Sequence, residues 1–591
     1  MSDSVDMSRR AFMTGAATAA LTASSDDSPT KPLAMADQLT GAAHSEVSRF
    51  DQPGTPSRKA ERAYAEKEYN HYQVMRDRAA QQADPNGDDG SESGDTGPGK
   101  PTAPNFGRTV DAVEEFGVDP SGGRSITNDI DSAPEDTLIV FPPGEYLLDG
   151  TIGMSGTKCG LVGAGYEEQQ PPSGKETVTF MAPEGAESGI NFAMSTGLFG
   201  NIVLDQSASG ANISLTLGSS GFVHSRDVVF RGVVEPVGSA SMDKGKSMVG
   251  IQAKSGATVR CSRFVMKYNG RPGTKNIGAG NAFWVGESNQ GTAQIENCTV
   301  VGNASNGVYG GRTSGNVQIK AGTWRNNEVA SCRYSGAGSW VDGATIVIDP
   351  ANYKGPPSDY GAFNAKIGIQ AIQIERGDNG ISKSSGAQVR NVDIRIRSEG
   401  SGGVRGGIAV LGSGGAVKIS NTRIVNQVDQ SSVLAQAPGS GYSGYSAPKP
   451  HNITITDSQL EGTNSESAVD VRGRANSLVR NTCFKIPGAS PDSIDGMEIG
   501  SGVGFGEQCK SGGLKNSEKV GSGANVSSFS GSGYTGSGLG VASRSGPSKR
   551  EIREKYQKQA NKALSSFIAA GAVFAAFLLM VFLAVIKLLK R

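Results

Sequence analysis

Two short stretches alternate an acid with arginines. They are "NVDIRIR", with Asp393, Arg395 and Arg397, and "VDVRGR", with Asp470, Arg472 and Arg474. In extended chain, alternate residues share a face, so each acid would stand beside its own arginines. Such pairs could transfer protons, with Asp393 and Arg395, or Asp470 and Arg472, as the working groups. They could equally form outward ion-pair ladders, which is the plainer reading. Asp342, Asp349 and Glu375 are further candidate carboxylates. A second grouping is aromatic and runs from Tyr309 to Tyr360. Ring faces beside Arg and Asp suit sugars, whose C–H faces stack while their hydroxyls take the polar groups. Tyr309, Arg312, Arg333, Tyr334, Trp340 and Asp342 are therefore the candidate ligand-binding residues. Trp324 falls in phase with a repeated apolar position and is expected in the core.

Other chemistries are poorly served. His occurs only as His44, His71, His224 and His451, far apart, which leaves little for a His-based metal centre or triad. No Cys-x-x-Cys is present, so a zinc or redox motif is not expected. "GLVGAG", Gly160 to Gly165, lacks the third glycine and the following helix of a dinucleotide loop. Lys+Arg and Asp+Glu balance at 57 each, giving no basic excess for nucleic acid. No cofactor or metal is expected, Ca²⁺ entering only if the chain is a lyase.

The ends speak of compartment. Arg9 and Arg10 precede the weakly apolar "TGAATAALTA", which resembles a twin-arginine export signal over 1–36. At the other end, "FIAAGAVFAAFLLMVFLAVI", 567–586, is long enough to cross a bilayer as one helix. The expected layout is an ectodomain outside and a tail, 587–591, inside. Between the ends, 37–82 holds a charged helix, 83–104 is a Gly/Pro/Ser linker, 513–548 is a Gly/Ser linker, and 549–566 is a basic juxtamembrane helix. That last helix reads as a short oligomerising stalk, which would make a homo-oligomer, or as a helix lying at anionic headgroups.

The middle of the chain must position the candidate residues, and it repeats. "VHSRDVVF", "TVRCSRFV", "AQIENCTV", "VQIKAGTW", "QVRNVDIR", "VKISNTRI", "ITITDSQL" and "SLVRNTCF" share one skeleton. Alternating apolar residues lead to a small or Asx residue, then to a bulky apolar residue three places on. The first slot holds Asp227, Ser262, Asn297, Ala321, Asn391, Asn421, Asp457 and Asn481. The bulky partners are Phe230, Val265, Val300, Trp324, Ile394, Ile424, Leu460 and Phe484. Asn and Asp at a fixed slot fit a bend, where they tolerate a left-handed backbone. Short β-branched strands at a loose period, with no helical pattern between them, predict an all-β coil of stacked turns. A β-sandwich array is the alternative.

The segment 105–512 resembles the right-handed parallel β-helix of pectate-lyase-like proteins, including phage tailspikes. Its opening is similar too: a capping helix precedes a first strand that ends in Pro143-Gly144-Glu145-Tyr146. The resemblance implies a solenoid ectodomain and a carbohydrate partner. Two activities follow as expectations: adhesion or glycan recognition, and membrane-tethered polysaccharide cleavage. The Gly-His-Gly and Asp-Asp pattern of polygalacturonase-like members is missing, which speaks against that hydrolase type. The order of signal, β-rich head, pre-membrane helix and anchor also resembles envelope spikes of pleomorphic archaeal viruses.

Export makes sequons and thiols relevant. Asn212, Asn303, Asn452 and Asn525 are the candidate glycosylation sites. Asn297 is ranked below Asn303, because it is assigned to the bend. Cys298 is read as a coil residue rather than a nucleophile. Cys261 and Cys298, offset by one residue on neighbouring turns, are expected on opposite faces. Cys483 and Cys509 could close the last coil.

Overall fold

The computed structural model describes residues 104–506, except 131–134, 169–176, 235–247, 268–279, 354–368, 377–384, 400–403, 405, 440–445 and 465–466, together with Cys509. The proposed signal, charged helix, linkers, juxtamembrane helix, membrane span and tail lie outside the described residues, as does Asn525. Among the described residues no helix is long and apolar enough to cross a membrane.

Every strand pairing is parallel and joins turns that follow one another along the chain. The fold is therefore a parallel β-helix, and hairpin-based sandwiches are excluded. Three strands make a turn. The first sheet includes Thr258–Ser262, Thr292–Glu296, Asn316–Lys320, Trp340–Asp342 and Ala387–Arg390. The second includes Val265–Lys267, Thr299–Val301, Thr323–Arg325, Thr345–Ile348 and Asp393–Ile396. The third includes Phe283–Val285, Val308–Gly310, Ala330–Tyr334, Gln370–Ile374 and Val469–Val471. Nearer the N-terminus the strands Glu187–Asp205 and Asn212–Arg231 run through all three sheets without a break.

Alternation fills the interior. On the second sheet Phe230, Val300, Trp324, Ile394, Ile424, Leu460 and Phe484 form one buried ladder. The strand between Phe230 and Val300 contributes Met266, not Val265. The cause lies at the bend. Arg263, rather than Ser262, takes the left-handed conformation there, with φ of 56°. The apolar position three residues on therefore moves by one. Val265 instead packs against Val203 and Val229 on the other side of the sheet.

From Thr258 to Lys485 only two residues part a first-sheet strand from the next second-sheet strand, as at 263–264, 297–298, 321–322 and 391–392. A two-residue corner needs positive φ, which Asn and Asp accept at low cost. Asp227, Asn297, Asn391, Asn421, Asp457 and Asn481 all adopt it, and so does Ala321. The amides stack along this edge. Asn421 Nδ2 donates to Asn391 Oδ1 at 2.7 Å, and Asn391 Nδ2 donates to Asp342 Oδ1 at 2.7 Å.

The N-terminal end is closed by the helix Ala112–Phe116, whose first turn is capped by Asp111 Oδ1 accepting from Val113 N at 2.8 Å. Tyr146 is buried edge-on against Phe141 and Phe180, and its hydroxyl donates to the Pro142 carbonyl at 2.8 Å. A Cβ on Gly163 would fall 2.2 Å from the Asn201 carbonyl, so "GLVGAG" serves close packing of turns. At the C-terminal end Cys483 and Cys509 are joined in a disulfide, their Cα atoms 5.5 Å apart. Cys261 and Cys298 both lie in the core, so the expectation of opposite faces is corrected. Cys261 sits on a first-sheet strand, whereas Cys298 turns inward from the corner itself. Burial pushes the Cys298 thiol up to about 12, which removes it as a nucleophile.

Candidate glycan-binding face

The outward residues of the third sheet form one continuous row. It runs Gly250, Trp284, Tyr309, Arg333, Gln373, Ala409, Leu434, Asp470 and Asp495, one residue per turn. Trp284 and Tyr309 pack edge-to-face, with centroids 4.8 Å apart. The Arg333 guanidinium lies over the Tyr309 ring, 4.2 Å from its centroid. Arg333 Nε donates to Glu375 Oε1 at 2.7 Å, and Gln373 Nε2 donates to Glu375 Oε2 at 2.9 Å. The Arg312 guanidinium stands 5.7 Å from the Tyr309 centroid and 5.9 Å from that of Trp284. Two glycines make this packing possible. A Cβ on Gly311 would come within 2.8 Å of Glu375 Oε1, and one on Gly286 within 2.2 Å of Trp284 Nε1.

The chain also frames this face. Corners between the first and second sheets are two residues long. Connections that enter and leave the third sheet are longer, for example from Ile348 to Gln370 and from Ala435 to Ile453. Variable connections around a rigid sheet are where binding residues concentrate.

The predicted ligand set is divided by the coil. Tyr309, Arg312 and Arg333 come together. Tyr334 does not join them: it points into the core and its hydroxyl donates to the Gln388 carbonyl at 2.8 Å. It fits because the adjacent rung offers Gly310, which has no side chain. Trp340 and Asp342 lie on the first sheet, where Arg390 covers the Trp340 ring at 4.8 Å and donates from Nε to Asp342 Oδ2 at 2.8 Å. Sequence reasoning missed Trp284 and Gln373. Trp284 sits in the all-apolar strand Phe283–Val285, so its outward phase was hidden.

The candidate catalytic pairs are separated as well. Arg395 Nε donates to Asp393 Oδ2 at 2.8 Å on the outer face of the second sheet. Arg423 extends that network, donating from Nε to Glu461 Oε1 at 2.9 Å. Arg472 Nε donates to Asp470 Oδ1 at 3.0 Å on the outer face of the third sheet. Arg397 and Arg474 leave their strand faces. Arg397 approaches the buried Asp349 at 3.9 Å, and Arg474 is buried among backbone carbonyls. Hydrolysis of a glycosidic bond needs two carboxylates across one sugar. Asp393 and Asp470 stand on different sheets. Both oxygens of Glu375 already accept from cationic or amide donors, so it is built to hold Arg333 rather than to take a proton. Among the described residues no group of three or more His, Cys, Asp or Glu side chains gathers as metal ligands.

Among the described sequons, Asn303 is buried and its Nδ2 donates to Asn327 Oδ1 at 2.7 Å. Asn212 is buried in a strand, and Asn452 is half-buried. Asn297 is exposed. By exposure, then, Asn297 is the more accessible of the two.

No protein-family model and no curated protein matches the chain. Solved structures similar to it include the catalytic unit of a GH87 alpha-1,3-glucanase from Streptomyces thermodiastaticus, at 14% identity and a TM-score of 0.38, covering 69% of this chain and 70% of that one. The surface protein and adhesin PfbA of Streptococcus pneumoniae is 10% identical at a TM-score of 0.34, over 68% of this chain and 98% of that one. A PL6 alginate lyase in complex with a trisaccharide is 10% identical at a TM-score of 0.32, over 68% and 85%. No activity is transferred from any of them.

Proposed function

We propose that this chain is an exported, membrane-held β-helix protein that recognises glycans along the outer face of its third sheet. The observation that carries the reading is the row Trp284, Tyr309, Arg333, with Glu375 fixing Arg333 from the next turn. The partly exposed Trp284 gives a sugar a stacking edge and the partly exposed Arg333 gives it hydrogen-bond donors, while the buried Tyr309 ring supports both from beneath. Their positions are set before any ligand arrives, which lowers the ordering cost of binding. The sequence alone supports the remaining parts of the reading: twin-arginine export through Arg9 and Arg10, anchoring by 567–586, and a place on a cell surface or viral envelope.

A second reading is a tethered lyase. Asp470 and Arg472 share the third-sheet face with Arg333, four turns away, roughly 19 Å at ~4.8 Å per turn. Asp470 and Asp495 beside Arg472 fall short of the oxygen set that Ca²⁺ takes, so no step is derived through that ion. One experiment addresses both readings. The detergent-solubilised full chain is applied to an array of neutral and uronic-acid glycans, and hits are incubated with protein while new double bonds are followed by absorbance. Binding that Trp284→Ala and Tyr309→Ala each weaken at least tenfold, without turnover, is the expected result. Turnover abolished by Asp470→Ala hands the face to the lyase reading. An array with no bound glycan sinks the binding reading.

A further inference from the structure

Asn297 stands at the two-residue corner between Thr292–Glu296 and Thr299–Val301, with φ of 53°, and is exposed. Elsewhere on this edge the amides are engaged. Asn391 and Asn421 are linked to Asp342 in one run, and Asn481 Nδ2 donates to Asp457 Oδ1 at 3.2 Å. Around Asn297 the run is interrupted on both sides. The preceding turn places Arg263 at the corner, and that guanidinium is turned away onto Asp227 Oδ1 and Oδ2 at 2.7 and 2.6 Å. The following turn places Ala321 there, which has no polar side-chain atom. Asn297 also begins the complete acceptor tripeptide Asn297-Cys298-Thr299. Thr299 points outward on the second sheet, paired with Thr323.

We propose that Asn297 is an N-linked glycosylation site of the folded protein. The donor class is an oligosaccharide carried on a lipid phosphate, used by a membrane transferase. The bond between the anomeric carbon and the phosphate oxygen breaks, and a bond from that carbon to Asn297 Nδ2 forms. One amide proton passes to the transferase, and the lipid phosphate leaves. The corner lies opposite the third sheet in the cross-section of the coil. A glycan there extends from the tight edge and leaves the row of Trp284, Tyr309 and Arg333 uncovered. The inference stands independently of what that row binds.

The test uses the full chain, exported behind a leader in a host that modifies Asn-x-Ser/Thr and purified in detergent. Asn297 and Asn303 fall on one proteolytic peptide, so electron-transfer fragmentation is needed to assign the attachment. The expected result is a glycan on Asn297 and none on Asn303. Thr299→Ala should remove one glycan's worth of gel retardation while leaving the bend residue in place, and Thr299→Ser should retain it. An unmodified Asn297 in the exported folded protein overturns the proposal. So does a glycan on Asn303 in protein that is still folded.

Discussion

The guanidinium of Arg333 lies 4.2 Å from the centroid of the Tyr309 ring, its neighbour one turn back along the third sheet. Glu375, which follows Arg333 by 42 residues, holds the same guanidinium by its edge. Both partners of this ion pair are largely removed from water. Removing one partner of a buried pair leaves the other uncompensated, at a cost of about 3 kcal/mol. Glu375→Ala should therefore lower the unfolding free energy by that amount in denaturant titrations, and should weaken glycan binding through a loosened Arg333. Unchanged stability would show that Glu375 does not act as a clamp.

Ala321, like Arg263, is a corner residue poorly suited to its backbone. Its φ is 56°, a conformation that costs an ordinary L residue about 1–2 kcal/mol. Asn tolerates it better and would offer an amide to Asn297 on the adjacent turn. Ala321→Asn is expected to raise stability by about 1 kcal/mol, seen as a higher melting temperature. A lower one would mean that the corner is set by packing and not by backbone preference.

Among the described residues Arg474 has no carboxylate partner. Its guanidinium donates to the carbonyls of Gln436, Gly414, Gly415, His451 and Leu411 at 2.8 to 3.2 Å. Burial brings its pKa down to about 10. It pins together the connections that leave the third sheet on successive turns. Arg474→Met should cost about 3 kcal/mol, since it leaves several buried acceptors without donors. Lys cannot reproduce the planar fork, so Arg474→Lys should recover little. Hydrogen exchange over 411–416 should speed up in both variants; unchanged exchange would remove the pin.

His224 gives a pH dependence with a defined sign. Burial, and then the charges of Arg260, Arg226 and Arg263, bring its pKa from 6.5 down to about 3. Its Nε2 lies 2.8 Å from Ser262 Oγ. The folded chain keeps this imidazole neutral, while the unfolded chain protonates it below about 6.5. The stability it contributes is present above pH 6.5 and is lost as pH falls toward 3. Comparing His224→Gln with the parent by melting at pH 7 and pH 4.5 should show a smaller acid loss in the variant. An equal loss would place the acid sensitivity elsewhere.

The coil itself was readable because its determinants are local. A two-residue corner demands a left-handed residue, and the strand after it must alternate, so Asn297 fixes Val300 and Asn421 fixes Ile424 from sequence alone. The same counting failed by one place where Arg263 took the bend from Ser262. The disposition of the outward side chains was not readable. Third-sheet strands follow connections of changing length, so their phase is not counted from the corner, and Tyr334 turned inward where Arg333 turned out.

What the sequence by itself determined was the repeat: alternation and corner residues at a loose period predict stacked turns, and the parallel pairing then removed the sandwich alternative. Only the tertiary structure decided which outward residues meet. It set Trp284, Tyr309, Arg333 and Glu375 side by side, and it sent Asp393 and Asp470 to different sheets. Parallel pairing joins residues a whole turn apart, and the length of a turn lies in connections that carry no periodic signal.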